Sequence, residues 1–281
     1  MAMQMKHLVP AIGSLVAVVA MSACGGGEQT LELFVGSATK PATEEAARLF
    51  EEKYGVNVEL HFGGSGSMLS QMKLTGKGDI YFPGSSDFME KAKKEGLVLP
   101  DSERIVVYLI PAINVQKGNP KDIQSLSGLA APGVTFAIAR PETVCVGLYA
   151  AEILDRAGLS QSLRPKIATY AESCAKTASL VALQTVDAVI GWRVFQYWAP
   201  DEIETVYLEP DQLPRIGYVP IAVSGSSKQP ALARQFIDFV TSEEGKAIYA
   251  EWHYLISEEE ARQFAPEATL GGEWELSEGW R

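Results

Sequence analysis

Histidine is nearly missing from this chain: there are three in 281 residues, and only His61 and His253 lie beyond the first two dozen positions. That leaves little imidazole for a Ser-His-Asp or Cys-His catalytic unit, and no two metal-type ligands stand at a recognisable metal spacing. An enzyme is therefore the weaker class, and neither a cofactor nor a resident metal is expected. Basic residues are scarce as well, 24 Lys and Arg against 35 Asp and Glu, for a formal net charge of -11. A surface of that sign excludes nucleic acid as a natural partner, because phosphates need a basic face. It leaves room for a small anion, which a few inward-pointing donors can hold whatever the global charge. Long apolar runs are absent too. The uncharged stretch centred on Leu8 to Val19 is roughly 15 residues, short of the roughly 20 needed to cross a bilayer. The loop Gly63-Gly-Ser-Gly-Ser67 lacks the Gly-Lys-Ser/Thr that would make it a phosphate loop, which argues against a nucleotide and leaves Lys73 and Lys77 as solvated turn residues.

What the chain does have begins at its start. Lys6, the apolar run and then Met21-Ser22-Ala23-Cys24 before Gly25-Gly26-Gly27 form a lipobox. This pattern predicts export, cleavage before Cys24 and lipid on its sulfur. Residues 1–23 are accordingly a lipoprotein signal peptide and 24–29 a tether. The mature protein is expected outside the cytoplasm, in the periplasm or at the cell surface, anchored to a membrane it does not span. Cleavage leaves about 258 of the 281 residues, with 23 basic against 35 acidic and a charge of -12. That length supports one large domain or two lobes with real cores.

Beyond the tether, strands and helices alternate. Leu31 to Val35 reads as a strand, Pro41 to Tyr54 as a helix with Ala46, Ala47, Leu49 and Phe50 inward, and Val56 to Phe62 as a second strand followed by a helix over Met68 to Thr75. Asp79 to Phe82 is a third strand, with a helix from Gly84-Ser-Ser-Asp87 through Glu95. Ile105 to Ile110 is a buried strand leaving this unit, and Pro111 marks a change of direction. A second unit follows: strands at 134–139, 166–170 and 188–190 with helices at 150–157 and 174–183. Strands over 204–208 and 217–223 then precede helices over 231–240 and 243–254. The spacing predicts an α/β fold of mostly parallel sheets wound by helices.

In such sheets ligands gather where strands hand over to helix N-termini, whose free N–H groups and dipoles select anions. Ser37 or Thr39, Ser65 or Ser67, and the segment 141–149 occupy those positions, although a hydroxyl there is most often only a cap. Together Phe34-Val-Gly-Ser-Ala-Thr39, Phe50 to Val58, Gly63-Gly-Ser65, Gly78 to Asp87, Ala139 to Glu152, Tyr218 to Val223 and Ala231 to Tyr249 resemble the periplasmic molybdate/tungstate-binding proteins of ABC importers, within the two-lobed solute-binding proteins. The resemblance covers nearly the whole mature chain. It implies lobe one over 30–107 plus 224–281, lobe two over 110–220, hinge crossovers between them, and a tetrahedral oxyanion held by hydroxyls and backbone N–H groups without a charged counter-ion. It implies Ser65 as a ligand hydroxyl and Val146 and Cys174 as backbone donors. Ala38 stands where the family often has serine, so Ser37 or Thr39 must supply the first hydroxyl. It also implies a monomer that works with the transmembrane subunits of a permease and catalyses no reaction.

Two departures bear on the ligand. Gly191-Trp192-Arg193 stands where many relatives place a ligand-reaching tyrosine, so Arg193 either adds a charged fork to the cleft or pairs with a surface acid. Cys145 and Cys174 fall beside or on the key second-lobe positions. They are small buried residues, a local disulfide, or two thiols facing a soft ligand such as arsenite or a thiophilic metal. Trp192, Phe195, Tyr197 and Trp198 are expected mainly in core packing. A reading from another class, an exported hydrolase built on Ser65, needs His61 as its base.

Overall fold

The computed structural model describes residues 29–280. The expected signal peptide, the expected lipidation site at Cys24 and all but the last residue of the expected tether lie outside them.

Strand β1 (Thr30–Gly36) is buried almost throughout, as Leu31, Leu33, Phe34 and Val35 demand of a strand covered on both faces. A 3₁₀ turn, Ser37–Thr39, leads into α1 (Lys40–Tyr54), where Pro41 takes an early position whose N–H would have no helical partner. The unit repeats as β2 (Asn57–Gly63), α2 (Ser65–Thr75), β3 (Ile80–Phe82) and α3 (Ser86–Lys94). Strand β4 (Arg104–Leu109) is separated from β5 (Pro111–Gln116) by Ile110 alone. Then come β6 (Phe136–Ala139), α4 (Cys145–Arg156), α5 (Ser160–Leu163), β7 (Ile167–Ala171), α6 (Cys174–Ala182), β8 (Ala188–Trp192), α7 (Phe195–Trp198) and β9 (Ile203–Tyr207). The last elements are β10 (Arg215–Val223), α8 (Pro230–Thr241), α9 (Glu243–Glu251), α10 (Glu258–Arg262) and β11 (Thr269–Leu270).

Two sheets result. One runs β11-β10-β3-β1-β2 with β4 also on β10, and the other runs β7-β6-β8-β5-β9. β1 lies parallel between β2 and β3, and β6 lies parallel between β7 and β8. β10 and β5 run antiparallel to their neighbours β3, β4, β8 and β9, so both sheets are mixed. The chain passes from one sheet to the other at Ile110 and returns over 208–214.

The expected α/β architecture is present, with instructive differences at its edges. Helix α2 starts at Ser65 and α4 at Cys145, earlier than the apolar periodicity suggests, because small and β-branched residues form their first turns. Pro111 is not only a bend. It opens β5 opposite Trp192, a strand's first position being one that proline tolerates. The chain beyond α9 serves both halves: β11 pairs with β10 in the first sheet, while Ala261, Ala265 and Trp280 complete the hydrophobic cluster of Ile113, Phe136, Leu154 and Ile190 on the second, a departure from the expected assignment of 224–281 to lobe one alone.

The larger cluster runs from Leu31, Phe50 and Phe236 through to Cys145, Tyr149, Cys174 and Trp192, so the two halves pack directly on each other. Phe195 is buried in it, and Tyr197 and Trp198 lie against it. At the seam, Gly66 N–H donates to the Thr143 carbonyl at 2.8 Å. A Cβ on Gly64 would stand 2.8 Å from the carbonyl oxygens of both Thr143 and Glu172, so only glycine lets this loop seat flush against the other half.

Candidate functional site

Four helical starts meet at this seam, each at the carboxyl end of a parallel strand. Ser37 opens the turn after β1, Ser65 is the first residue of α2 after β2, and Cys145 and Cys174 are the first residues of α4 and α6 after β6 and β7. Helix starts carry N–H groups with no partner inside their own helix, and with the helix dipoles these make the seam electropositive without any charged side chain.

All four side chains are buried, and the contacts among them are direct. Ala175 N–H, at the start of α6, donates to Ser37 Oγ at 3.2 Å, tying the first sheet's loop to the second sheet's helix. Gly84 N–H donates to Ser65 Oγ at 2.9 Å, and the Tyr81 hydroxyl donates to the Ser65 carbonyl at 2.9 Å. The Tyr254 hydroxyl donates to the Ala38 carbonyl at 2.8 Å and braces the first loop from behind. Cys145 Sγ and Cys174 Sγ are 3.4 Å apart. Both are free thiols, well beyond the bonded distance of about 2.05 Å. Gly84 closes the group, since a Cβ there would lie 2.5 Å from Cys145 Sγ and 2.8 Å from Ala38 Cβ.

Burial pushes the Cys145 thiol well up, and its contact with Cys174 acts in the same direction. The Ser65 hydroxyl and the Val146 N–H oppose this without reversing it. At neutral pH the Cys145 sulfur is therefore a thiol.

The structure thus gathers Ser37, Ser65, Cys145, Val146 and Cys174 and leaves two candidates elsewhere. Thr39 is buried, but its Oγ1 accepts from Thr43 Oγ1 at 3.0 Å, and Thr43 in turn lies 3.2 Å from the Tyr249 hydroxyl. Of the two possible first-loop hydroxyls, Ser37 is the one that reaches the other half. Arg193 follows neither of its expected courses. Its guanidinium donates to the His253 carbonyl at 2.5 Å and lies over the rings of Tyr197 and Phe264, about 5.5 and 5.2 Å from their centroids. His61 is paired with Glu32 at 3.0 Å and stacked on Phe34, so Ser65 and His61 do not form a nucleophile–base pair.

The sequence reading missed the Gly84 and Ala175 N–H donors and the bracing hydroxyls of Tyr81 and Tyr254. Gly84 could have been found by its place after β3, the same signal that marked Ser65. Also missed was a buried ionic group: Arg215 on β10 donates through Nε to Glu152 of α4 at 2.6 Å and through Nη1 to Asp87 of α3 at 3.0 Å. Nothing local in the sequence announces that Arg215 turns inward. A cavity of about 490 Å³ lined by Gly64, Ser67, Arg140, Thr143, Glu172 and Lys176 borders the seam next to Ser65 and Cys174. No helix among the described residues is long and apolar enough to cross a membrane.

A family model described as bacterial extracellular solute-binding protein matches residues 31–255. The molybdate-binding protein ModA of Rhodobacter capsulatus is 24% identical over 247 residues, covering 86% of this chain and 93% of its own length. Among solved structures, the periplasmic molybdate-binding protein of Azotobacter vinelandii aligns with a TM-score of 0.70 at 19% identity, over 82% of this chain and 100% of that one. The sulfate-binding protein SubI of Mycobacterium tuberculosis H37Rv aligns with a TM-score of 0.69 at 18% identity, over 88% of this chain and 94% of its own. At such identities the shared property is the fold: the two-sheet, periplasmic-binding-protein-like α/β architecture.

Proposed function

The chain belongs to the bacterial extracellular solute-binding proteins, and from that premise we propose that it captures a tetrahedral oxyanion, molybdate or tungstate, for an ABC importer. The observation that carries this reading is the convergence of four helical starts on one buried seam, with Ser37, Ser65, Val146 and Cys174 among them. Burying a dianion is costly, and a shell of charge-assisted donors offsets that cost. A shell made only of donors favours a fully ionised dianion over protonated phosphate, whose O–H needs an acceptor. The names of the relatives, molybdate-binding and sulfate-binding, support the same class of cargo.

The capture is made by two lobes built on the two sheets, β1–β4 with β10 on one side and β5–β9 on the other, hinged at Ile110 and at 208–214. An oxyanion bridging donors from both favours the closed arrangement, which a permease recognises. The mature protein works outside the cytoplasm as a lipid-anchored monomer held at Cys24. Membrane fractionation tests the anchor: the intact chain stays with membranes and Cys24→Ala is released.

Calorimetry of the protein from Gly25 onward against molybdate, tungstate, sulfate and phosphate tests the cargo. Molybdate and tungstate are expected to bind one per chain, and Ser65→Ala to weaken them by about tenfold or more, the worth of a hydrogen bond to a charged group. A flat response to both anions overturns the cargo, and binding of sulfate alone reassigns it.

A further inference from the structure

We propose that Cys145 and Cys174 form a soft subsite in this cleft that captures a trivalent arsenic hydroxide, arsenite, by condensation with both thiols. The proposal rests on the cleft being a ligand site but not on molybdate being its cargo.

The first reason is the choice of atoms. A thiol is a weak hydrogen-bond donor, and a hydroxyl serves a hard oxyanion better. Yet sulfur stands at the first residue of α4 and of α6, the two second-half helices that reach the seam, where Ser37 and Ser65 supply oxygen from the first half. Paired sulfurs are what a soft Lewis acid binds.

The second reason is the distance. With metal–sulfur bonds of about 2.3 Å, two thiolates on opposite sides of a linear centre stand about 4.6 Å apart, and two on a tetrahedral centre about 3.8 Å. On a pyramidal centre with near-right angles the same bond length gives roughly 3.3–3.5 Å. The observed separation is 3.4 Å. A pyramidal centre also needs only one further ligand, which arsenite brings as its own hydroxyl, with the Ser65 hydroxyl and the Val146 N–H beside Cys145. A zinc-like cation needs a larger set, and among the described residues no group of three or more His, Cys, Asp or Glu is placed to hold one.

The third reason is proton balance. As(OH)₃ and two Cys S–H groups give a cyclic S–As(OH)–S adduct and two waters. Two As–O bonds break, two As–S bonds form, each thiol proton leaves with a hydroxide, and arsenic stays trivalent. No charge is created in the buried site. A divalent cation would instead require both thiols to ionise, which burial opposes at Cys145.

The test uses the protein from Gly25 onward, purified reduced, with sodium arsenite as the probe. Calorimetry should give one arsenite per chain, and Cys145→Ser and Cys174→Ser should each weaken it by about a hundredfold or more, since even an outer-shell partner of a metal ligand is worth about 10–100-fold in affinity. X-ray absorption at the arsenic edge should report two sulfur neighbours and one oxygen on the wild-type protein, a reading that does not depend on the variants folding. An oxygen-only shell, unchanged binding in the double variant, or a Cys145–Cys174 disulfide that resists reduction would each overturn the proposal. If molybdate and tungstate give no heat while arsenite binds through sulfur, the cargo proposed above fails and this subsite stands. The opposite result removes the subsite and leaves the oxyanion reading in place.

Discussion

Gly84 has little freedom at the seam. It gives its N–H to Ser65 Oγ while its bare Cα lies against Cys145 and Ala38. Gly84→Ala is expected to destabilise the protein by about 1–3 kcal/mol, because the new methyl must displace a sulfur held between two helices. Urea unfolding measures the loss, and calorimetry with molybdate should show weakened binding; an unchanged unfolding midpoint would mean that the halves separate easily there. A second expectation concerns alkaline pH. Burial keeps the Cys145 thiol protonated in the folded protein, whereas the unfolded thiol ionises near about 8.5. The folded state then holds more protons, so this contribution is complete below about pH 8.5 and is lost as pH rises from there. Buried Tyr81, Tyr249 and Tyr254, also pushed up by burial, extend the loss beyond about pH 10. Urea midpoints between pH 8.5 and 10 should fall in the wild type and fall less in Cys145→Ser; parallel curves would remove Cys145 from the explanation. Ser65 was legible from the sequence because it sits just after a recognisable strand, and Cys145 because it lies in the segment 141–149 that leads from a strand to a helix, whereas Cys174 was singled out only through the family resemblance. The choice between Ser37 and Thr39 was not, because residues two apart in a 3₁₀ turn point in different directions and only packing decides which faces the cleft. Arg193 was illegible for the same reason: its neighbours in sequence do not reveal that the His253 carbonyl will claim it.

At the scale of elements, the site depends on where helices begin. Ser173 caps α6, its Oγ accepting from Lys176 N–H at 3.2 Å, and so fixes the turn that holds Cys174 and the Ala175 N–H. Ser173→Ala should cost about 1 kcal/mol of stability through the lost cap. It should also weaken oxyanion binding several-fold, because the Ala175 donor then frays with the first turn. Loss of stability with unchanged affinity would show that the first turn of α6 is held by its packing alone. The alternation of strands and helices was read correctly, since buried parallel strands leave continuous apolar runs and α1, α8 and α9 carry clear 3.6-residue periodicity. Helix starts were misplaced where they matter most. Ser65-Gly-Ser and Cys145-Val-Gly look like loop because their helical state is imposed by the other half of the molecule and not by propensity. Strand β5 was lost behind Pro111 because a proline at a strand's first residue reads locally as a turn.

For the whole molecule, the ionic group of Asp87, Glu152 and Arg215 is placed to report on closure. Asp87 belongs to α3 beside the first sheet and Glu152 to α4 beside the second, while Arg215 begins the strand on which the chain returns between them. All three are buried. The guanidinium also lies 4.2 Å from the centre of the Tyr149 ring, one helical turn from Glu152 on α4. If the halves separate on opening, Arg215 cannot keep both carboxylates, and at least one ion pair is made only in the closed form. Glu152→Gln leaves Arg215 paired with Asp87 and removes one buried partner, so it should cost about 3 kcal/mol, the lower end for breaking a buried pair. The part of that cost that belongs to closure alone must appear in binding, because a ligand that selects a less populated state binds more weakly in proportion. Small-angle scattering with and without molybdate, together with calorimetry, separates the two parts. The expected result is a more extended unliganded protein with oxyanion affinity reduced by about tenfold, the equivalent of about 1.4 kcal/mol. Reduced stability with unchanged affinity and unchanged scattering would make the ionic group a fixed strut that both arrangements share, and closure would then rest on the Ser37–Ala175 bond and the apolar seam.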